Sequence, residues 1–357
     1  MRDNWTYKKL NEVCDKGSSN IVISKLNDNN GEYPLFGASG LVKNIDFFHQ
    51  DKPYIGIVKD GAGVGRVNIY PAYSSLVGTM QYIFVKDSCL LEYIKYFLIK
   101  LDLSHCVSGA TIPHIYFKDY GKENIPLPPL SEQQSIVAEL DKINELINLK
   151  KAQLKDLDAL AQSIFYDMFG DPIENEKGWE VKKLGEIASF YNGKAHESAI
   201  DENGEYILVN AKFVASKGTV IKRTNHQLFP LLKDDIVMVM SDVPNGRALA
   251  SCYLIESNNK YSLNQRICAF RDFSTNNVFL LYFLNRNNYF LRFDDGNGQT
   301  NLRKIEVESC PVYLPPLSLQ QEFAKRIELI EQQKTQISST IKDLETLLAS
   351  RMQYWFD

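Results

Sequence analysis

The stretch Lys59–Val67, KDGAGVGRV, has glycine spacing that invites phosphate chemistry. It does not meet the requirements. A phosphate-cradling loop needs Lys-Ser/Thr after its glycines, and a dinucleotide turn needs G-x-G-x-x-G rather than the G-x-G-x-G found here. A glycine-rich turn between strands fits better. Ser104, His105 and Cys106 with His114 form the nearest thing to a metal cluster, but their spacing matches no zinc pattern. The six cysteines (14, 89, 106, 252, 268, 310) are widely spaced and contain no C-x-x-C. They read as reduced packing residues. An Asp/Asn-Pro-Pro-aromatic tetrapeptide, which adenine methyltransferases use, is absent, and no carboxylate pair stands out. The residues therefore supply no catalytic set, no metal site and no cofactor site, and the chain reads as a non-enzyme.

What the sequence does supply is a duplicated frame. PLPPLSEQQ (Pro126–Gln134) recurs as YLPPLSLQQ (Tyr313–Gln321), and the offset of 187 holds without a gap to Phe169 and Phe356. The paired prolines fix an extended approach. Ser131 and Ser318 then stand as N-caps, with Gln134 and Gln321 completing capping boxes. Beyond them the apolar residues step by four and three. The first seam reads Ile136, Leu140, Ile143, Ile147, Lys150, Leu154, Leu157, Ala161, Ile164, Met168. The second reads Phe323, Ile327, Ile330, Lys334, Ile337, Ile341, Leu344, Leu348, Arg351, Trp355. Heptads sustained this long predict two long helices packed on each other, each seam broken by one register-setting lysine.

Ahead of each helix lies a divergent block. NWTYKKLNEV (Asn4–Val13) returns as GWEVKKLGEI (Gly178–Ile187), pairing Trp5 with Trp179 and Leu10 with Leu184. Gly65–Arg66 matches Gly246–Arg247, Gln81 matches Gln265, and YFL occurs at 96–98 and 282–284. A period this long means two copies of a domain-plus-helix unit. Tyr54–Val58, Met80–Val85, Ile236–Met240 and Ile267–Phe270 read as strands. Leu90–Lys100 and Val278–Asn287 read as short helices. Each block is a mixed α+β domain with a curved sheet. Each ends in a polar, glycine-bearing loop, Ser108–Tyr120 and Asn297–Val307, of the kind that carries function.

Composition is that of a globular chain: 357 residues, 44% hydrophobic, 11% aromatic, with no run of 18 apolar residues. The N-terminus lacks an apolar signal core, so a cytoplasmic location is expected. A net charge of −4 argues against a broad basic nucleic-acid face. The two blocks are balanced in charge and residues 130–170 are acidic, with four basic against seven acidic residues.

The doubled Pro-Pro-Leu…Gln-Gln entries, the W-x-x-x-x-L openings, the heptad helices and the FGDP close (Phe169–Pro172) together resemble the specificity subunit of type I restriction-modification enzymes. The resemblance covers essentially the whole chain. It implies an α+β fold with two tandem mixed α/β target-recognition domains, separated by two long antiparallel coiled-coil helices and related by a pseudo-two-fold internal repeat. The domains would be 1–128 and 171–315, and the conserved spacer helices 129–170 and 316–357. The implied role is recognition of a bipartite asymmetric double-stranded DNA site, without catalysis. Two methyltransferase subunits would dock on the helices and domains, and restriction-translocase subunits would join for cleavage. About 38 helical residues span ~57 Å, which would set the heads a helical turn or more apart on the duplex. Partners would supply much of the phosphate-neutralising charge.

The resemblance does not transfer base-reading residues, which differ between family domains. Polar loop residues near the matched landmarks are the candidates. In the first domain these are Ser39, Lys43, Lys59, Arg66, Thr111, His114 and Lys118. In the second they are Lys194, Lys212, Asn245, Arg247, Gln299, Thr300, Arg303 and Lys304. Arg and Lys suit guanine edges, Asn and Gln suit adenine, and any of them can grip phosphate instead. The alternatives are a coiled-coil scaffold that binds only proteins, and a self-contained methyltransferase or nuclease.

Overall fold

The computed structural model describes residues 4–61, 63–109, 113–196 and 199–357. The chain divides into two compact units, Met1–Ala152 with Ser338–Asp357 and Gln153–Ile337. Each unit therefore holds one globular domain and a length of both long helices.

In the first unit, Tyr54–Val58 is the innermost strand. Its sequence YIGIV is an unbroken apolar run, and all five residues are buried, as expected for a strand covered on both faces. It lies in an antiparallel sheet ordered Cys14–Ser18, Met80–Val85, Tyr54–Val58, Val67–Tyr70. Gly56 is required there, because a Cβ would stand 2.5 Å from the Tyr70 ring. A second sheet, Gly40–Ile45, Tyr33–Gly37, Ser75–Leu76, mixes antiparallel and parallel pairing. Thr6–Lys9 pairs with Asn124–Leu127 where the domain hands over to the helix.

The second unit repeats this strand by strand. Its four-stranded sheet runs Ser189–Asn192, Ile267–Arg271, Ile236–Val239, Cys252–Leu254. Its three-stranded sheet runs Arg223–Thr224, Tyr206–Val209, Tyr261–Leu263, again with one antiparallel and one parallel pairing. Glu180–Lys183 pairs with Pro311–Leu314. The expected short helices are observed as Leu91–Leu101 and Asn277–Leu284. Low sequence likeness with the same sheet order means that hydrophobic pattern, not residue identity, carries the repeat.

The long helices are Leu130–Phe169 and Leu317–Phe356, 40 residues each. Within the first unit, Ile136 and Leu140 share a core with Leu348, Met352 and Phe356. Lys151 Nζ donates to Glu345 Oε1 at 2.8 Å, and Arg351 Nη2 donates to Glu139 Oε2 at 3.0 Å. Early turns of one helix thus lie along late turns of the other. In the second unit, Ala161, Phe165 and Phe169 share a core with Phe323, Ile327 and Ile330. Both packings are antiparallel. Ile143, Ile147 and Ile341 are buried, while Leu154, Leu157, Ile337 and Leu344 are half-buried. Lys334 stands 2.9 Å from Asp158 and 2.7 Å from Glu331. Burial alone would lower its pKa, but those two carboxylates outweigh it and hold the ammonium above its usual value.

Two expectations need correction. The helices begin one residue before Ser131 and Ser318, with Pro129 and Pro316 carbonyls accepting the first backbone bonds. The serines are inside the helix and do not cap it. Gln134 and Gln321 are exposed, and it is Gln133 and Gln320 that are buried. Gln133 donates to the Pro128 carbonyl (3.0 Å) and accepts from Leu90 N (2.9 Å). Gln320 donates to the Pro315 carbonyl (2.8 Å) and accepts from Asn276 N (2.8 Å). Each glutamine locks its helix entry to the head of the domain's short helix. Near the far ends of the helices the seam also swings by one residue. Phe165, Phe169 and Phe356 are buried, while Ile164, Met168 and Trp355 are half-buried and Arg351 pairs with Glu139. There each long helix meets the domain helix as well: Phe169 packs on Phe279 at 4.8 Å and Phe356 on Tyr93 at 5.1 Å. A second packing partner pulls the apolar stripe off strict heptad phase.

Among the described residues, no helix is long and apolar enough to cross a membrane.

Candidate nucleic-acid interface

In each domain the innermost strand ends in a polar loop, and that loop is zipped to the loop before the helix entry. In the first domain Gly61 N donates to the Pro113 carbonyl (3.0 Å) and Ile115 N to the Lys59 carbonyl (3.0 Å). Asp60 lies opposite His114 as an antiparallel bridge. His114 Nδ1 donates to Asp60 Oδ1 at 2.7 Å. In the second domain Ser241–Asp242 pairs with Thr300–Asn301, and Leu302 N donates to the Met240 carbonyl at 2.8 Å. We call this two-loop pairing the clasp.

The loops close by the same bonds. Val58 N reaches Arg66 O and Gly65 N reaches Val58 O; Val239 N reaches Ser251 O and Ala250 N reaches Val239 O. Gly65 and Ala250 both take positive φ, 87° and 56°. The ladder counterpart of Gly65–Arg66 is therefore Ala250–Ser251. The sequence match to Gly246–Arg247 is not structural, because the second loop is four residues longer. The extra length is organised by Asp242, whose Oδ2 accepts from Ala248 N (2.6 Å) and Leu249 N (3.0 Å) and whose Oδ1 accepts from Val243 N (2.8 Å). Such Asx bonding is what an acidic residue at a loop head supplies.

Several residues singled out from sequence gather here. Lys59 stands 3.7 Å from Asp60. Arg66 is exposed, and its Nη1 reaches the Ala38 carbonyl at 3.4 Å, next to exposed Ser39 at a hairpin tip. Lys118 lies 5.2 Å over the exposed Tyr116 ring, which stacks on His114. In the second domain Asn245 and Arg247 are exposed on the long loop, and Asn245 lies over Gly296 of the facing loop. Gln299 Nε2 donates to Ser241 Oγ at 2.5 Å.

Others are placed differently. Lys43 is tied to the Leu26 carbonyl (2.8 Å). Thr300 is buried and donates to Asp294. Arg303 Nε donates to Glu306 Oε1 at 2.7 Å, and that guanidinium holds the Glu306 carboxyl below its usual range. Lys304 pairs with Glu308 and lies over the Phe190 ring. Lys194 pairs with Asn264, and Lys212 sits on the short helix Ala211–Ala215. Thr111 is outside the described residues. Asp60, Ser241, Asp242 and Asn301 are not among the sequence candidates, yet they build the clasp, and Tyr116, also not among them, stacks on its His114. The signal that could find them is position: Asp60, Tyr116 and Asn301 lie in polar loops legible in the sequence, and Ser241 and Asp242 follow directly on the strand expected at Ile236–Met240.

Among the described residues no group of His, Cys, Asp and Glu is arranged to hold a metal ion. Burial pushes the thiols of Cys14, Cys268 and Cys310 well above their ordinary values, as for packed cysteines.

A duplicated α+β domain, each copy presenting a polar two-loop clasp and feeding an antiparallel helix pair, defines a class of recognition protein. The model for the type I restriction modification DNA specificity domain matches residues 2–159 and 176–346, and the chain belongs to that family. It is 30% identical over 200 residues to the type I restriction enzyme MjaIX specificity subunit of Methanocaldococcus jannaschii, covering 51% of this chain and 44% of that relative. It is 25% identical over 330 residues to the MjaVIII specificity subunit of the same organism, covering 81% and 76%. The chain thus spans less than half of the first relative's length and about three quarters of the second's. A solved S subunit from M. genitalium has the same fold, with a TM-score of 0.55 at 18% identity over 100% of this chain and 97% of that one. A chain from a structure concerned with type I R-M complex assembly gives 0.57 at 16% identity, over 99% and 97%.

Proposed function

We propose that this chain is the sequence-reading subunit of a type I restriction-modification complex. Residues 1–128 and 171–315 act as two target-recognition domains, and 129–170 and 316–357 as the spacer helices between them. Each domain reads one half of an asymmetric, bipartite duplex site. Two methyltransferase subunits dock on the helices and domains and carry out adenine methylation, and restriction-translocase subunits join them. This chain positions the duplex, because the target adenine must leave the stack to enter another subunit's pocket. The observation that carries the reading is the repetition of the clasp on the same strand frame in a chain whose family is DNA specificity. The near-neutral charge accords with partners that supply phosphate contacts.

Footprinting tests it. The chain combined with methyltransferase subunits is expected to protect two short sequence blocks on a duplex carrying the site. The chain alone with S-adenosylmethionine or Mg²⁺ is expected to modify nothing. Sequence-independent protection, or turnover by the chain alone, would refute the proposal.

A further inference from the structure

The clasps share a cross-loop hydrogen-bonding pattern. Ile115 N to Lys59 O in one domain is Leu302 N to Met240 O in the other. The next pair inward is Asp60 opposite His114 in the first and Ser241 opposite Asn301 in the second. These four residues are two copies of one pair of positions. The frame under the pair is backbone, namely the preceding strands Tyr54–Val58 and Ile236–Val239, the loop closures and the cross-loop bonds, and side-chain bonds such as His114 to Asp60 add to it. The side chains on that fixed frame differ in kind. The first domain carries a carboxylate and an imidazole, and the second a hydroxyl and a carboxamide.

We propose that this cross-loop pair is the specificity-determining position of each recognition domain. The inference rests on the DNA-reading function proposed above and names the residues that exercise it. A backbone-held pair can change side chains without moving the loops, which is what a domain must do to read a new base on an old scaffold. The loop tips cannot be equivalent, because they differ in length between the domains.

Both members of the pair are accessible in the first domain, and Asn301 alone in the second. Asp60 and His114 keep 28% and 35% of their side-chain surface exposed. In the second domain Ser241 is buried, and its hydroxyl accepts from Gln299 Nε2, which also lies 3.3 Å from Asn301 Oδ1. The exposed groups there are the carboxamides of Gln299 and Asn301. Carboxamides suit the adenine edge, which offers one acceptor and one donor; a carboxylate accepts from the cytosine amino group. The two domains thus present different hydrogen-bonding codes at the same place, as an asymmetric target requires.

The test uses the full chain assembled with methyltransferase subunits, S-adenosylmethionine and a random-sequence duplex library. Sequencing the methylated molecules gives base preferences. The first-domain variants are Asp60→Asn, which keeps an oxygen for His114, and Asp60→Ser with His114→Asn, which installs the second domain's pair. The second-domain variant is Gln299→Ala with Asn301→Ala. Each is expected to shift preference about 5- to 100-fold at bases of one half-site only, a different half for each domain, with the other half intact. Unchanged preferences would overturn the proposal. So would a uniform fall in methylation with the motif unaltered, or loss of assembly by Asp60→Asn, because either would make the pair a clamp and not a reader. If the parent chain gives methylation with no base preference, the DNA-specificity reading itself fails, which is a separate result.

Discussion

Replacing Gln133 with alanine should destabilise the first unit far more than replacing its neighbour Gln134. Gln133 is 1% exposed and makes three hydrogen bonds, to Leu90 N (2.9 Å), Pro128 O (3.0 Å) and Ser88 O (3.3 Å). Pro128 is buried and Leu90 half-buried, whereas Ser88 is exposed and its carbonyl can rehydrate. Leaving two sheltered groups unpaired costs roughly 1–3 kcal/mol each, and the lost methylene adds about 0.8 kcal/mol. The expected destabilisation is therefore about 3 kcal/mol or more. For a unit of this size that lowers Tm by roughly 6–12 °C. Gln134 is exposed, so Gln134→Ala should stay within about 0.5 kcal/mol of the parent. Differential scanning calorimetry of the parent and both variants measures the contrast. Gln320→Ala against Gln321→Ala repeats it in the second unit. Equal losses for Gln133→Ala and Gln134→Ala would refute the glutamine lock and restore a capping role.

Other expectations follow from the helix pair. Ile143→Asp places a charge on a buried seam position, and a loss of several kcal/mol is expected in denaturant titration. Glu139 is held below the usual carboxylate range by its hydrogen bond from Arg351, helped by Trp355 and opposed by burial. Asp158 is pushed up by burial, but Lys334 and Lys217 outweigh that and hold it down. Both carboxylates are depressed in the folded state, so their stabilisation is present at neutral pH and is lost as pH falls through the folded values. The gap in Tm from the parent should therefore shrink progressively below about pH 4.5 for Glu139→Gln and below about pH 3.8 for Asp158→Asn, the ordinary values of the two carboxyls. A gap that does not vary with pH would contradict it. Deleting four residues from the first long helix removes ~6 Å of rise and overshoots one turn. Methylation mapping should then show both half-sites at a changed spacing, or no binding.

The sequence made the repeat, the helix pair and the main strands legible, because each is written in hydrophobic period. The seam from Ile136 to Ile147 and from Ile327 to Ile341 could be read directly. What it concealed lies in polar residues whose partners are distant in sequence. Gln133 looks no different from Gln134, and only the fold brings Leu90 to it. Arg66 and Arg247 look equivalent because each follows a glycine, yet by its backbone bonds Arg66 occupies the position that Ser251 holds in the second domain. Asp60 and His114 are 54 residues apart, and no local pattern signals their contact. Arg303 and Lys304 are the contrary case, since the carboxylates beside them, Glu306 and Glu308, stand three and four residues on in the same helix.

The central claim is that this chain confers a bipartite DNA specificity through two separate recognition domains. Mapping methylated adenines in the host genome by long-read sequencing, with and without this gene, tests it most directly. The account predicts one motif that disappears with the gene, made of two unlike half-sites separated by unread bases. An unchanged methylation pattern, or a lost motif that is continuous, would contradict it.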